Sequence, residues 1–394
     1  MIKLAVVTST RAEYGLLVPL IKAMMCEPEI EMQLLVSGTH LVRKYGYTVR
    51  YIRQDKIPIA YEVPLFDDDF SSTEQQVSDV IAKAVAQCGA IFAKERYDAV
   101  IVLGDRYELL GFCSAAVVCR IPIVHIHGGE ITEGAIDDKI RHAITKLSSV
   151  HFPSIPEYAH RIIQMGENPD YVYAVGALGI DNILGLKLLD RRELLSELNI
   201  ETNLPLAAVT YHPVTGEKPE LAAQEMIQVL DSLISSNIFA VITMPNSDVG
   251  GDDIYRMIVS YVERYQDKMV LEKSLGQVRY LSILKNADIM IGNSSSGILE
   301  SASFHLPVVD IGDRQKGRVA PANVVHCSCN QDEIVKSIET CLNNKMKEGL
   351  QGYENPYGDG KAAQRIVDKL KKIDFADKSL ICKHFFDFGC ENER

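Results

Sequence analysis

Short runs of apolar residues alternate with helical stretches along nearly the whole chain. Residues 4–7, 33–36, 100–103 and 123–126 are largely apolar runs, continuous rather than alternating, as in strands covered on both faces. Helical stretches separate them, among them 74–95 and 107–119. After residues 171–175 the pattern restarts with apolar runs at 206–210, 240–244, 269–271, 288–291 and 307–311. Continuous strands separated by helices predict parallel sheets between helical layers. So many strands divide more naturally between two doubly wound units than within one sheet. The predicted fold is therefore α/β, with two Rossmann-like doubly wound domains, 1–169 and 170–360, facing a cleft. Their junction is expected near the turn-rich stretch 166–170. A last helix over 361–373 is predicted to pack back on the first domain, and the tail 374–394, which has no clear period, is expected to be peripheral.

Length and charge narrow the reading. A chain of 394 residues can form two domains with separate cores. Its 41 basic and 53 acidic residues leave a net charge of −12, which argues against nucleic acid as a partner. No apolar run reaches membrane-spanning length, and Met1-Ile-Lys-Leu-Ala leads straight into a strand without signal-peptide architecture. The nine cysteines are an odd number without a C-x-x-C pair, and Cys327-Ser-Cys329 lacks zinc-site spacing. Reduced thiols in a cytoplasmic protein fit this usage.

The most informative stretch is Gly292-Asn-Ser-Ser-Ser-Gly297-Ile-Leu-Glu300, directly after an apolar run. It predicts a strand, a tight turn and a helix start, which suits phosphate. The basic loop Gly312-Asp-Arg314-Gln-Lys-Gly-Arg318 follows, able to neutralise the same anion. Doubly wound units bind ligands outside the carboxyl ends of their strands. Arg11, Asp105, Glu130 and His212 all fall at such ends. Asp105 could merely cap the following helix, yet other acids share its edge. His125 and His127 alternate on a strand, but no second ligand cluster accompanies them, so no metal site is predicted. Asp137 and Asp138 open a helix on which Asp137 and Arg141 are spaced to pair. Neither a Walker A sequence nor G-x-G-x-x-G occurs, which argues against nucleoside triphosphatases and dinucleotide enzymes.

Taken in order, several motifs resemble those of the UDP-N-acetylglucosamine 2-epimerases. They are Ser9-Thr-Arg-Ala-Glu13-Tyr-Gly15, Gly104-Asp-Arg-Tyr-Glu108, His127-Gly-Gly-Glu130, Ile136-Asp-Asp138 with Ile140-Arg-His-Ala-Ile-Thr-Lys146, His212-Pro-Val214, Gly292 to Gly297 and Gly312 to Arg318. The resemblance covers nearly the whole chain up to the final helix and is closest to the hydrolysing branch, which makes N-acetylmannosamine for sialic acid synthesis. It implies a GT-B type pair of domains, a UDP-sugar as substrate, UDP as product, and no cofactor or catalytic metal. It also implies a homodimer or homotetramer. Position by position, it implies that Arg11, Arg106, His212, Asn246, Ser294, Ser295, Glu300 and Arg314 contact the UDP-sugar. Asp105, Glu130 and Asp137 are implied as catalytic carboxylates, with His212 beside them. The mammalian branch has glutamate where this chain has His127. The implied reaction eliminates UDP to give 2-acetamidoglucal and hydrates it with inversion at C2. Competing readings are a hydrolase of a diacetamido-trideoxy sugar for legionaminic acid, a GT-B glycosyltransferase and a non-enzymatic sensor of sugar nucleotides.

Overall fold

The apolar runs form two all-parallel sheets of six strands each. The computed structural model describes residues 1–67, 73–132, 136–213, 219–244, 251–272 and 275–387. Strands β1 (Ile2–Thr8), β2 (Ile30–Ser37), β3 (Ile59–Val63), β4 (Ala99–Leu103), β5 (Ile123–Ile126) and β6 (Val150–Phe152) make the first sheet, in the order β3-β2-β1-β4-β5-β6. The second sheet holds β7 (Leu206–Thr210), β8 (Phe239–Thr243), β9 (Met269–Glu272), β10 (Ile289–Gly292), β11 (Val308–Ile311) and β12 (Val324–Cys327), ordered β12-β11-β10-β7-β8-β9. Counted from its own first strand, each sheet has the same order. In each, the order reverses between the first and fourth strands, β1/β4 and β7/β10, where doubly wound sheets bind ligands.

The interior strands are the ones whose pattern is continuous: every residue of β4 and of β7 is buried. Three edge strands, β3, β6 and β12, lie outside the predicted set. β3 and β12 face solvent along part of their length, so their sequences mix polar and apolar positions, and β6 has only three residues. On one face of the first sheet Leu4, Val6 and Ile101 pack against Leu17 and Leu20 of helix Arg11–Met25. On the other face Ala5, Val100 and Val102 pack against Phe92 and Phe112, from helices Glu74–Glu95 and Tyr107–Val118. The second sheet is covered likewise, with Met226, Ile254 and Ile338 on one face and Leu194 and Leu284 on the other.

By their internal packing the residues divide into two units. One comprises Met1–Glu130, Ile136–Asn182 and Gly360–Arg394; the other comprises Ile131–Ala135 and Ile183–Asp359. The turn at residues 166–170 lies within the first. Helix Ala362–Leu370 also belongs there: Asp181 accepts the backbone N–H groups of Ala362 (3.0 Å) and Ala363 (2.7 Å) at its start. Beyond it the chain runs along the same unit as a strap. Ser149 Oγ donates to the carbonyl of Leu380, and Lys383 Nζ reaches Glu167 and the carbonyl of Ser148, both at 2.7 Å. Glu167 is buried. Burial alone would push its carboxyl up, but His151, Lys146 and Lys383 outweigh that and hold it down at about 2. No helix among the described residues is long and apolar enough to cross a membrane.

Candidate active site

In the first unit Asp105 and the backbone of Glu130 gather around one buried cation. Arg141, 3% exposed, projects from helix Ile136–Leu147. Its Nη2 pairs with Asp105, and its Nη1 donates to the carbonyl of Glu130 at 2.9 Å and to Asp138 at 3.3 Å. Burial works against the charge on Arg141, but Asp105, Glu130 and Asp138 outweigh it and raise its pKa. Asp105 is therefore not the helix cap. The capping position of helix Tyr107–Val118 is Arg106, which makes no side-chain cap, while Asp105 bonds across to Arg141. Asp137 is exposed at the start of its helix and acts electrostatically on Arg106.

The turn after β5 holds Glu130 in place. His127 has φ of 62° and Gly129 φ of 79°; a β-carbon on Gly129 would lie 2.4 Å from the carbonyl oxygen of Tyr158. Only glycine fits such a left-handed position against backbone. His127 Nε2 accepts the N–H of Leu178 at 3.4 Å, which leaves the ring proton on Nδ1, directed at Glu130 at 3.1 Å. His125 is buried between the carbonyl of Gly104 (2.9 Å) and Thr145 (3.2 Å), and burial pushes its pKa down to about 3. The two histidines thus brace the turn. Arg11, by contrast, is exposed and lies over the ring of Tyr51, 4.7 Å from its centroid.

The second unit builds its counterpart on Asn293. This fully buried side chain accepts the N–H of His212 through Oδ1 and donates to the carbonyl of His212 through Nδ2, both at 2.8 Å. Its own carbonyl accepts from Arg314 (2.9 Å) and Gln315 (2.8 Å). The ends of β7 and β10 and the basic loop are thereby joined. Gly292 permits the approach: at φ of 138° a β-carbon would lie 1.9 Å from the carbonyl oxygen of Thr210. Burial, and then Arg314, lower His212 to about 4, so its imidazole is neutral at neutral pH. The expected helix start is a single turn, Ser296–Leu299, with Ser295 at its cap and Ser294 Oγ accepting the N–H of Ser296 at 3.4 Å. A turn that short supplies local N–H groups rather than a full helix dipole. Glu300 ends it; its buried Oε2 has no hydrogen-bond partner, and burial raises its pKa. Asn246 lies outside the described residues.

Residues 22–371 match the family model described as UDP-N-acetylglucosamine 2-epimerase. The chain belongs to that family. It is 35% identical over 372 residues to the UDP-N,N'-diacetylbacillosamine 2-epimerase (hydrolyzing) of Legionella pneumophila, covering 94% of this chain and 96% of that protein. It is also 35% identical over 392 residues to the polysialic acid biosynthesis protein P7 of Escherichia coli, covering 98% and 97%. In fold it resembles the crystal structure of UDP-GlcNAc 2-epimerase from Neisseria meningitidis bound to UDP-GlcNAc. That likeness has a TM-score of 0.81 at 18% identity and covers 94% of this chain and 100% of that one. The relatives fit the hydrolysing branch of the family, and the chain is a hydrolysing 2-epimerase of UDP-sugars.

Sequence reasoning passed over two residues that organise this epimerase's candidate site. Asn293 stood in the serine-rich motif without a role, and its place between a glycine and three serines was the available signal. Helical spacing pairs Arg141 with Asp137, whereas the structure gives it Asp138, one residue on, and Asp105, from a different strand end.

Proposed function

We propose that the chain converts UDP-N-acetylglucosamine and water to N-acetylmannosamine and UDP. The observation that carries this reading is the Arg141 cluster, which holds Asp105 and the Glu130 backbone at the carboxyl edge of the first sheet. Asp105, Glu130 and Asp137 act on the sugar ring. As UDP departs, C2–H becomes acidic enough for one carboxylate to remove, which leaves 2-acetamidoglucal. A second group then protonates C2 from the opposite face while water adds at C1. Deprotonation and protonation on opposite faces call for two separately placed groups. Arg11, Arg106, Arg314, Ser294 and Ser295 stabilise the departing diphosphate, an electrostatic contribution. Glu300 accepts from ribose hydroxyls through its unpartnered oxygen, and Asn246 lines the same ligand. His212, neutral at the pH of the reaction, donates or accepts one hydrogen bond there rather than supplying a charge.

A second reading takes UDP-N,N'-diacetylbacillosamine as the substrate. The name of the relative from Legionella pneumophila favours it. Incubation with each UDP-sugar, followed by NMR of the released sugar, separates the two. N-Acetylmannosamine from UDP-N-acetylglucosamine supports the first reading; release only from the diacetamido sugar replaces it with the second. The enzyme is taken to be a cytoplasmic homodimer or homotetramer that needs no cofactor.

Arg314 offers an independent check on the UDP assignment. Its guanidinium already holds the carbonyl of Asn293. As a diphosphate ligand it makes a charge-assisted contact, so Arg314→Ala should weaken UDP binding by about 2–3 kcal/mol. Lysine should rescue only in part, since a point charge does not reproduce the guanidinium fork. An alanine variant with wild-type calorimetric affinity would remove Arg314 from the site.

A further inference from the structure

Two buried acids behind Arg106 have no part in the reaction described above. Glu13, 5% exposed on helix Arg11–Met25, accepts the backbone N–H (2.9 Å) and the hydroxyl (2.7 Å) of Ser9 through one oxygen, Oε2. Its other oxygen, Oε1, is buried without a partner. Glu108, fully buried on helix Tyr107–Val118, accepts from Arg106 Nε at 3.2 Å through Oε1, and its Oε2 is likewise buried without a partner. The two helices follow β1 and β4, neighbouring strands at the point where the sheet order reverses.

The charges on these groups do not balance. Arg106 interacts with Glu108, Glu13 and Asp137, and on the other side of Ser9 the ring of His40 adds no charge. That ring lies between Thr8 (3.2 Å) and Thr48 (2.8 Å), and burial lowers it to about 4. Burial raises Glu13 to about 7. The Ser9 contacts and Arg106 oppose the rise, and Glu108 adds to it. A diphosphate on Arg106 would add further negative charge beside two acids that each already have one oxygen without a donor. The response of lowest free energy is protonation of the buried carboxylate that is held only by neutral donors: Glu108 has Arg106 against it, whereas Glu13 has the N–H and hydroxyl of Ser9.

We propose that Glu13, backed by Glu108, takes up a proton from solvent on Oε1 when a diphosphate docks on Arg106 and gives it back when the diphosphate leaves. Binding of UDP is then coupled to one ionisation in the protein, and Glu13 is a positioning residue that sets the charge behind Arg106. The inference rests on the reading of Arg106 as a diphosphate ligand.

The sign follows from linkage. Below the free-state ionisation near 7 the proton is already present and binding takes up none. Above it, binding must draw the proton from solvent, so UDP affinity falls as pH rises. Calorimetric titration of the full chain with UDP at pH 8, in buffers of different ionisation enthalpy, reads the proton directly. Wild type should take up roughly half a proton per UDP. Glu13→Gln keeps an oxygen to accept from Ser9, should melt higher than wild type at pH 8, and should bind UDP with no such uptake. Uptake as large as wild type in folded Glu13→Gln overturns the proposal. If that variant does not fold, Glu108→Gln decides. Loss of its charge should move the midpoint of the pH dependence of UDP affinity to lower pH, and an unmoved midpoint overturns the proposal. Failure of wild type to bind UDP at any pH would instead count against the functional reading itself.

Discussion

Asp105→Asn, Glu130→Gln and Asp137→Asn are each expected to lower turnover by about 10²–10⁴-fold, the usual contribution of a general acid or base. UDP affinity should hardly change, because these acids are assigned to the sugar ring. Their surroundings differ enough to separate the roles. Asp105 is clamped by buried Arg141, Glu130 faces the Nδ1 proton of His127, and Asp137 is exposed at a helix start. An acid that serves mainly hydration should, once replaced, release 2-acetamidoglucal along with UDP. Glu130 and Asp137 are the candidates, since Asp105 is engaged by Arg141 and adjoins Arg106. Supplying synthetic 2-acetamidoglucal to each variant shows which half-reaction survives. Wild-type hydrolysis of UDP-N-acetylglucosamine by all three variants would exclude the mechanism. Asp105→Asn needs a melting curve beside its kinetics, because it also weakens the pair with Arg141.

The second large effect is on stability. Arg141→Met should destabilise the fold by about 3–5 kcal/mol, as expected when one partner of a buried ion pair is removed. Methionine fills much of the same volume but leaves Asp105, Asp138 and the carbonyl of Glu130 without the donors they have now. Lysine should recover part of the loss, since it restores the charge but cannot reach several acceptors at once. Urea unfolding at neutral pH measures both variants. A methionine variant within about 1 kcal/mol of wild type, the worth of a surface pair, would show that the cluster does not hold this edge together.

Of the two sites, the second unit's was the more legible. Glycine, asparagine and serines after an apolar run form one local motif, and Gly292 is required because a β-carbon would collide with Thr210. Less visible was the joint that Asn293 makes between His212 and Arg314. It spans 81 residues in one direction and 21 in the other, and no spacing rule covers such distances. The strap after the last helix was equally hidden. Lys383 meets Glu167 across 216 residues, and its contacts follow no period because a strap has none.

The local elements were legible from the chain alone, since hydrophobic periodicity is a local signal. Buried parallel strands must be apolar on both faces, so β1, β4, β5 and β7 declared themselves, while the half-exposed edges β3 and β12 did not. The motif order was also enough to indicate the family. Strand order belonged to the tertiary structure alone. It seats β4 beside β1 rather than β3, and β10 beside β7 rather than β9. That order brings Asp105 to Arg141 and Asn293 to His212. Periodicity tells a residue which face to bury, but a buried charge finds its partner only when the sheet has closed around both.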